Sequence, residues 1–191
     1  MASELFNQKT IERLSSDVEI SSKQKKASKE WLNLLETDSL EDEKKNYFKF
    51  AKIILDDILG YDIKKIKHEE ENLEFIYKND KGKFVVGFEA KGTSTKDLTA
   101  IQHGRKKEHE TPIKQIWNYM GGKLNLDYGV VTNYRDFILL DRQQGYSKYH
   151  LFNFEDICKD SNKLKEFVAI FSRKRVVEDN FLETLSKASI I

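Results

Sequence analysis

Two short runs of apolar and aromatic residues, Leu73-Glu74-Phe75-Ile76-Tyr77 and Phe84-Val85-Val86-Gly87-Phe88-Glu89, flank the turn formers Asn79-Asp80-Lys81-Gly82. Strand-favouring side chains on either side of Asn, Asp and Gly predict a β-hairpin, so the chain must build a sheet around it. The rest of the pattern says what packs on that sheet. From Leu40 to Leu59, Tyr47, Ala51, Ile54, Leu55 and Ile58 recur at helical spacing, with Ser39 as the expected cap, Glu41, Asp42 and Glu43 at the positive end of the dipole, and Gly60 as the stop. A shorter amphipathic helix is expected over 23–37, carrying Trp31, Leu34 and Leu35, and Thr111-Pro112 opens another that ends at Gly121-Gly122. Strands are expected over 128–132 and 137–141, joined by a turn at Asn133, and a third over 149–154. Leu164, Phe167, Val168 and Phe171 mark one further helix, and Phe181, Leu182 and Leu185 another. The order is that of a mixed α/β (α+β) fold, a central mixed sheet flanked by helices. It divides into a helical preface over 1–40, a core over 41–175 and the start of a C-terminal helix or connector over 176–191.

Composition sets the outer bounds. The chain has 191 residues, 39% of them apolar; at this size folding hides roughly 70% of the unfolded surface, which excludes a disordered tail protein. No apolar run approaches the roughly 20 residues that cross a bilayer. The opening MASELFNQKT lacks a secretory pattern and Cys158 is the single cysteine, so a reducing cytoplasm is expected. Lys and Arg (33) nearly balance Asp and Glu (32), and any nucleic-acid binding must therefore come from local patches. His68, His103, His109 and His150 show no zinc spacing, and the glycines form no phosphate loop. Trp31, Trp117, Phe137 and Phe171 fall at core spacing.

Chemistry concentrates at Glu89-Ala90-Lys91, which ends an apolar strand whose hairpin partner carries Glu74. Two carboxylates can share a hard cation, and a lysine two residues after Glu89 leaves the same strand face. Such a set suits phosphodiester hydrolysis, in which the cation polarises the phosphate and lowers the pKa of a bound water. An acid-x-Lys triplet begins at Asp42, Glu43, Asp62 and Glu89, so the letters alone decide little. Only the last closes a buried-looking strand, where paired charges are costly, and the pattern fits a strand-end salt bridge as well as a catalytic cluster. Gln115 and Tyr119 lie four apart on one helix face. From Lys96 to Lys123, six basic residues (Lys96, Arg105, Lys106, Lys107, Lys114, Lys123) face three acids, a patch able to meet phosphates or an ordinary solvated face.

Phe88-Glu-Ala-Lys-Gly92, then Gln115-x-x-x-Tyr119, then Tyr128-Gly-Val-Val-Thr-Asn133, resembles the PD-(D/E)xK nuclease domains of restriction enzymes. The likeness is to the amino-terminal endonuclease region of single-chain type IIG restriction-modification proteins. It spans about residues 25 to 185, including Leu-Gly-Tyr61 and the run from Glu108 to Gln115. The resemblance implies a restriction-endonuclease-like core and a Mg2+-dependent endodeoxyribonuclease, Mn2+ substituting, that cuts double-stranded DNA. Glu89 and Lys91 match the family's second acid and lysine, and Gln115 and Tyr119 its glutamine and tyrosine. Glu74 stands where relatives carry Asp after Pro, with Glu71 as the alternative in a shifted register and Glu43 as an extra acid from the first long helix. Glu74, Glu89 and the Ala90 backbone carbonyl would bind metal, Lys91 would assist water attack, and Gln115 would position water or phosphate. Tyr119, Lys96, Arg105, Lys106, Lys107 and Lys114 would meet DNA. A linked or associated adenine methyltransferase and target-recognition domain are implied as partners, and this chain is then expected to be a piece of a longer protein or a stand-alone remnant. The rival expectations are a repair nuclease of the same fold, or an inert DNA-binding or assembly module.

Overall fold

The computed structural model describes residues 3–70 and 73–189. Along the chain run β1 (Ser3–Glu4), α1 (Gln8–Ser15), α2 (Ser22–Glu36), a helical stretch α3 over 44–58, β2 (Ile66–Glu70), β3 (Leu73–Lys78), β4 (Phe84–Ala90), α4 (Pro112–Met120), β5 (Tyr128–Thr132), β6 (Asp136–Asp141), β7 (Lys148–Asn153), α5 (Phe154–Lys159), α6 (Ser161–Phe171) and α7 (Phe181–Ser189). Strands β2 to β7 form a six-stranded mixed sheet flanked by helices, and β1 adds in parallel to the β7 edge, giving the spatial order β1-β7-β6-β5-β4-β3-β2. The hairpin β3–β4 is antiparallel, as its turn formers require, whereas β4 and β5 are parallel. A parallel neighbour needs a crossover, and α4 supplies it.

The two faces of the sheet bury different sets. On one, α2, α3 and α6 bring Trp31, Phe50, Phe167 and Phe171 against Phe75, Phe88 and Phe137. On the other, α4 lays Ile113, Ile116 and Met120 on Ile76, Val131, Ile138 and Leu140. Close seating of α4 depends on Gly129, where a Cβ would meet Met120 Sδ at 2.5 Å and Ile116 Cγ1 at 2.9 Å. The larger cluster runs from Phe6 through Trp31 to Leu185, so the preface and the last helix share one core with the segment between them.

All five apolar positions read on α3 are buried, but the helix starts at Lys44 rather than near Leu40. The reason is tertiary. Leu40 and Glu41 give their carbonyls to Thr93 N–H and the Ser94 hydroxyl, which commits that backbone to the end of β4 instead of to a helical turn. Asp42, not Ser39, takes the capping role by accepting from Lys45 N at 3.0 Å. The hairpin turn, the Asn133 turn and the Thr111-Pro112 helix start are as the residues predict, with Thr111 Oγ1 capping Lys114 N and Asn133 Oδ1 accepting from Arg135 N and Asp136 N. Among the described residues no helix is long and apolar enough to cross a membrane.

Candidate active site

The β3–β4 register pairs Phe75 with Phe88, and one step further it sets Glu74 opposite Glu89. Directly opposed residues of an antiparallel pair share a face. Lys91 follows Glu89 on that face, with its Nζ 2.6 Å from Glu89 Oε1, and the two are 3% and 0% exposed. Beyond the last ladder pair the Glu74 side chain takes over the strand's role, its Oε2 accepting from Ala90 N at 3.2 Å. Residues expected to converge at the strand tips therefore do so.

The electrostatics are crowded. Glu89 Oε2 is buried with no hydrogen-bond partner among the described residues, and the Glu74 carboxyl is in contact with the Glu89 carboxyl. Two ionised carboxylates cannot hydrogen-bond to one another, and a shared proton or a cation would relieve their repulsion. Burial first, then the contact and charge of Glu74, hold the Glu89 carboxyl well above the usual carboxylate range, against the pull of Lys91. Burial likewise disfavours the Lys91 ammonium, yet Glu89, Glu43 and Glu74 together raise it above an ordinary lysine.

Glu43 reaches the cluster from the turn before α3, its Oε2 3.8 Å from Lys91 Nζ. Its delivery depends on Gly92: a Cβ there would lie 1.9 Å from the Glu41 carbonyl oxygen and 3.0 Å from Glu43 N, so the 41–43 backbone passes where no side chain fits. The Tyr134 hydroxyl holds the Glu43 carbonyl at 2.8 Å, and Trp31 Nε1 in turn donates to the Tyr134 carbonyl at 2.8 Å. Tyr47 adds a contact that residue pattern did not reveal. Its hydroxyl stands 2.9 Å from Glu43 Oε1 and 3.2 Å from Glu74 Oε1. In sequence Tyr47 reads as one more position of the apolar stripe; the available hint was its spacing of four from Glu43 on the helix.

From α4, buried Gln115 donates to the Tyr119 hydroxyl at 3.1 Å and accepts from Arg105 at 3.3 Å. Burial raises the Tyr119 phenol, offset by its bond from Gln115, and the charges of Glu89, Lys91 and Glu74 are felt there. The basic residues do not all converge. Arg105 bonds Gln115 on α4 but is exposed, as are Lys106, Lys107 and Lys96 on the loop between β4 and α4, and Lys114 is ion-paired with Glu110. Glu71 lies outside the described residues.

As a donor set for a metal, Glu74 and Glu89 present facing carboxylates with one orphaned oxygen, a fit for a hard divalent cation. Among the described residues no group of three or more His, Cys, Asp or Glu is gathered tightly enough to hold a metal ion, so any such ion would be completed by backbone, water or substrate oxygens. No family model, curated protein or solved structure matches the chain. What the chain does must be read from the site.

Proposed function

We propose that this chain is a metal-dependent endodeoxyribonuclease domain with a restriction-endonuclease-like core, of the kind found in type IIG restriction-modification proteins. The observation that carries the reading is the contact between half-buried Glu74 and fully buried Glu89 at the end of the hairpin, with buried Lys91 beside them. A hairpin bearing both acids, followed by a crossover helix bearing Gln115 and Tyr119 and then a parallel strand, supports the core assignment. Glu74 and Glu89, with the Ala90 carbonyl, would hold Mg2+ or Mn2+. The ion would supply charge to a phosphoryl oxygen and acidify a bound water. Lys91, anchored on Glu89, would supply an ammonium to the attacking water or to the charge developing on the phosphate. Gln115, backed by Arg105 and Tyr119, offers an amide to the same phosphate or water. Arg105, Lys106, Lys107 and Lys96 meet the flanking double-stranded DNA, and target recognition, like the methyltransferase, belongs to a linked or associated partner.

Calorimetric titration of the protein with Mg2+ and Mn2+, combined with plasmid nicking by the parent and Lys91→Ala, tests the proposal. Cation binding at millimolar concentrations or tighter, with nicking lost in the variant while circular dichroism reports the same fold, is expected. No cation heat, or equal nicking by both proteins, would refute it. The tight Lys91–Glu89 pair favours one alternative, an inert DNA-binding module in which the ammonium occupies the cation's place, and absent cation heat with retained DNA binding is its signature.

A further inference from the structure

Among the described residues, Tyr47 is the one neutral side chain with hydrogen bonds to two of the clustered carboxylates, and it makes them from inside the core. Its ring is buried and packs edge-to-face on Phe75 with centroids 5.5 Å apart, which fixes where the hydroxyl can be. That hydroxyl lies 2.9 Å from Glu43 Oε1 and 3.2 Å from Glu74 Oε1, and it has one proton to give. That proton is shared between the two acids in a three-centre bond, nearer to Glu43, so Glu74 is held at Oε1 by part of it and at Oε2 by the Ala90 N–H. Glu43 is gripped by the same hydroxyl and, through its backbone, by Tyr134.

Resting on the proposed cation site, we infer that Tyr47 is a positioning residue that acts through Glu74: its one proton, shared between Glu43 and Glu74, ties the two acids together and restrains the Glu74 carboxylate beside Glu89. Without the hydroxyl, Glu74 retains a single fixed oxygen and can swing about the Ala90 bond, away from its opposite number. Among the described residues, Glu43 loses its one side-chain donor closer than the 3.8 Å contact to Lys91. The phenol suits this post better than a charged donor, because it orients carboxylates without neutralising the negative field that attracts the cation. Removing a hydrogen-bond partner of a metal-ligating carboxylate typically weakens metal affinity about 10–100-fold, and a loss of that size is expected here.

The test is Tyr47→Phe, which keeps the ring and deletes the hydroxyl. Mn2+ affinity is measured by calorimetry on the parent and the variant, and melting temperature is measured in the absence of divalent ions. The expected result is an affinity about 10–100-fold weaker with a cation-free melting temperature within about 2 °C of the parent, a combination that a merely structural role would not give. If the parent binds Mn2+ and the variant binds it equally well, the role of Tyr47 is refuted while the cation site stands. If the parent binds no cation, both fall together. If the variant melts far lower and binds weakly, Tyr47→Met, which fills the ring's space without any hydroxyl, distinguishes the two roles. Equal loss of affinity in both variants, despite different melting temperatures, supports positioning; affinity that tracks melting temperature overturns it.

Discussion

Gly92 is the position at which one added methyl group would separate the fold from the site. A Cβ there meets the Glu41 carbonyl oxygen at 1.9 Å, whereas ordinary contact begins at 3.4 Å. The 40–43 backbone must retreat by about that 1.5 Å difference, because the obstacle is backbone and cannot rotate away. The retreat breaks the Thr93 N–H bond to the Leu40 carbonyl, 3.0 Å long, and draws Glu43 from Lys91, already at 3.8 Å. Overpacking of this kind costs about 1–3 kcal/mol, or roughly 4–8 °C in melting temperature for 2 kcal/mol in a chain of this size. Scanning calorimetry of Gly92→Ala should show that drop, and a Mn2+ titration of the same variant should show weaker binding. Gly121→Ala serves as the control, because its Cβ would sit 3.4 Å from the Asn118 carbonyl, and it should melt within about 2 °C of the parent. A Gly92→Ala protein that melts and binds like the parent would refute the claim that close backbone passage delivers Glu43.

Three further outcomes follow from the same geometry. Glu74→Gln can keep the Ala90 bond through its carbonyl and offer an amide N–H to the orphaned Glu89 Oε2, so its melting temperature without divalent ions should rise while any stabilisation by Mg2+ disappears; a lower melting temperature would contradict the reading of Glu89 as short of a donor. His150 is buried, and burial, with Lys163 adding, lowers its pKa to about 4 from 6.5. Its unfolded form therefore binds more protons between these values, stability falls as pH drops through that window by about 2 kcal/mol at pH 5, and His150→Phe should flatten that part of a pH series of urea melts. Arg105→Ala should reduce the slope of log affinity for duplex DNA against log salt by roughly one, whereas Lys114→Ala, whose charge is met by Glu110, should change it little.

How far the residues alone could be read depended on where each element takes its stability. Strands β3 to β7 and helix α4 declare themselves because both bury apolar side chains at a regular period and carry their own turn or cap residues. The edge strand β2, Ile66-Lys-His-Glu-Glu70, exists through its backbone ladder with β3, and its charged side chains leave no periodic signal. The two residues of β1 are too few for any pattern. Of the site, Glu74, Glu89, Lys91 and Gln115 could be named, since acids and a lysine at the tips of an apolar hairpin are conspicuous. Tyr47, Tyr134 and Trp31 could not, because a core aromatic that also spends its one polar atom on a distant carbonyl or carboxylate looks like any other core aromatic until the chain is folded.

The same arrangement bears on the choice between a salt bridge and the proposed cation site. To neutralise one buried ammonium, a single carboxylate suffices, and Glu89 at 2.6 Å already provides it. Adding Glu74 opposite Glu89 and Glu43 behind them brings like charges together at a cost that a structural ion pair has no use for. That cost is maintained rather than relieved: the Ala90 N–H and Tyr47 hold Glu74 in place, and Gly92 and Tyr134 hold Glu43. Backbone and core aromatics thus hold together carboxylates that would otherwise separate, and the proposed cation is what such preorganisation would serve. The decisive measurement is whether Mg2+ raises the melting temperature of the parent and leaves that of Glu74→Gln unmoved, because a bound cation is what would repay three acids held around one lysine.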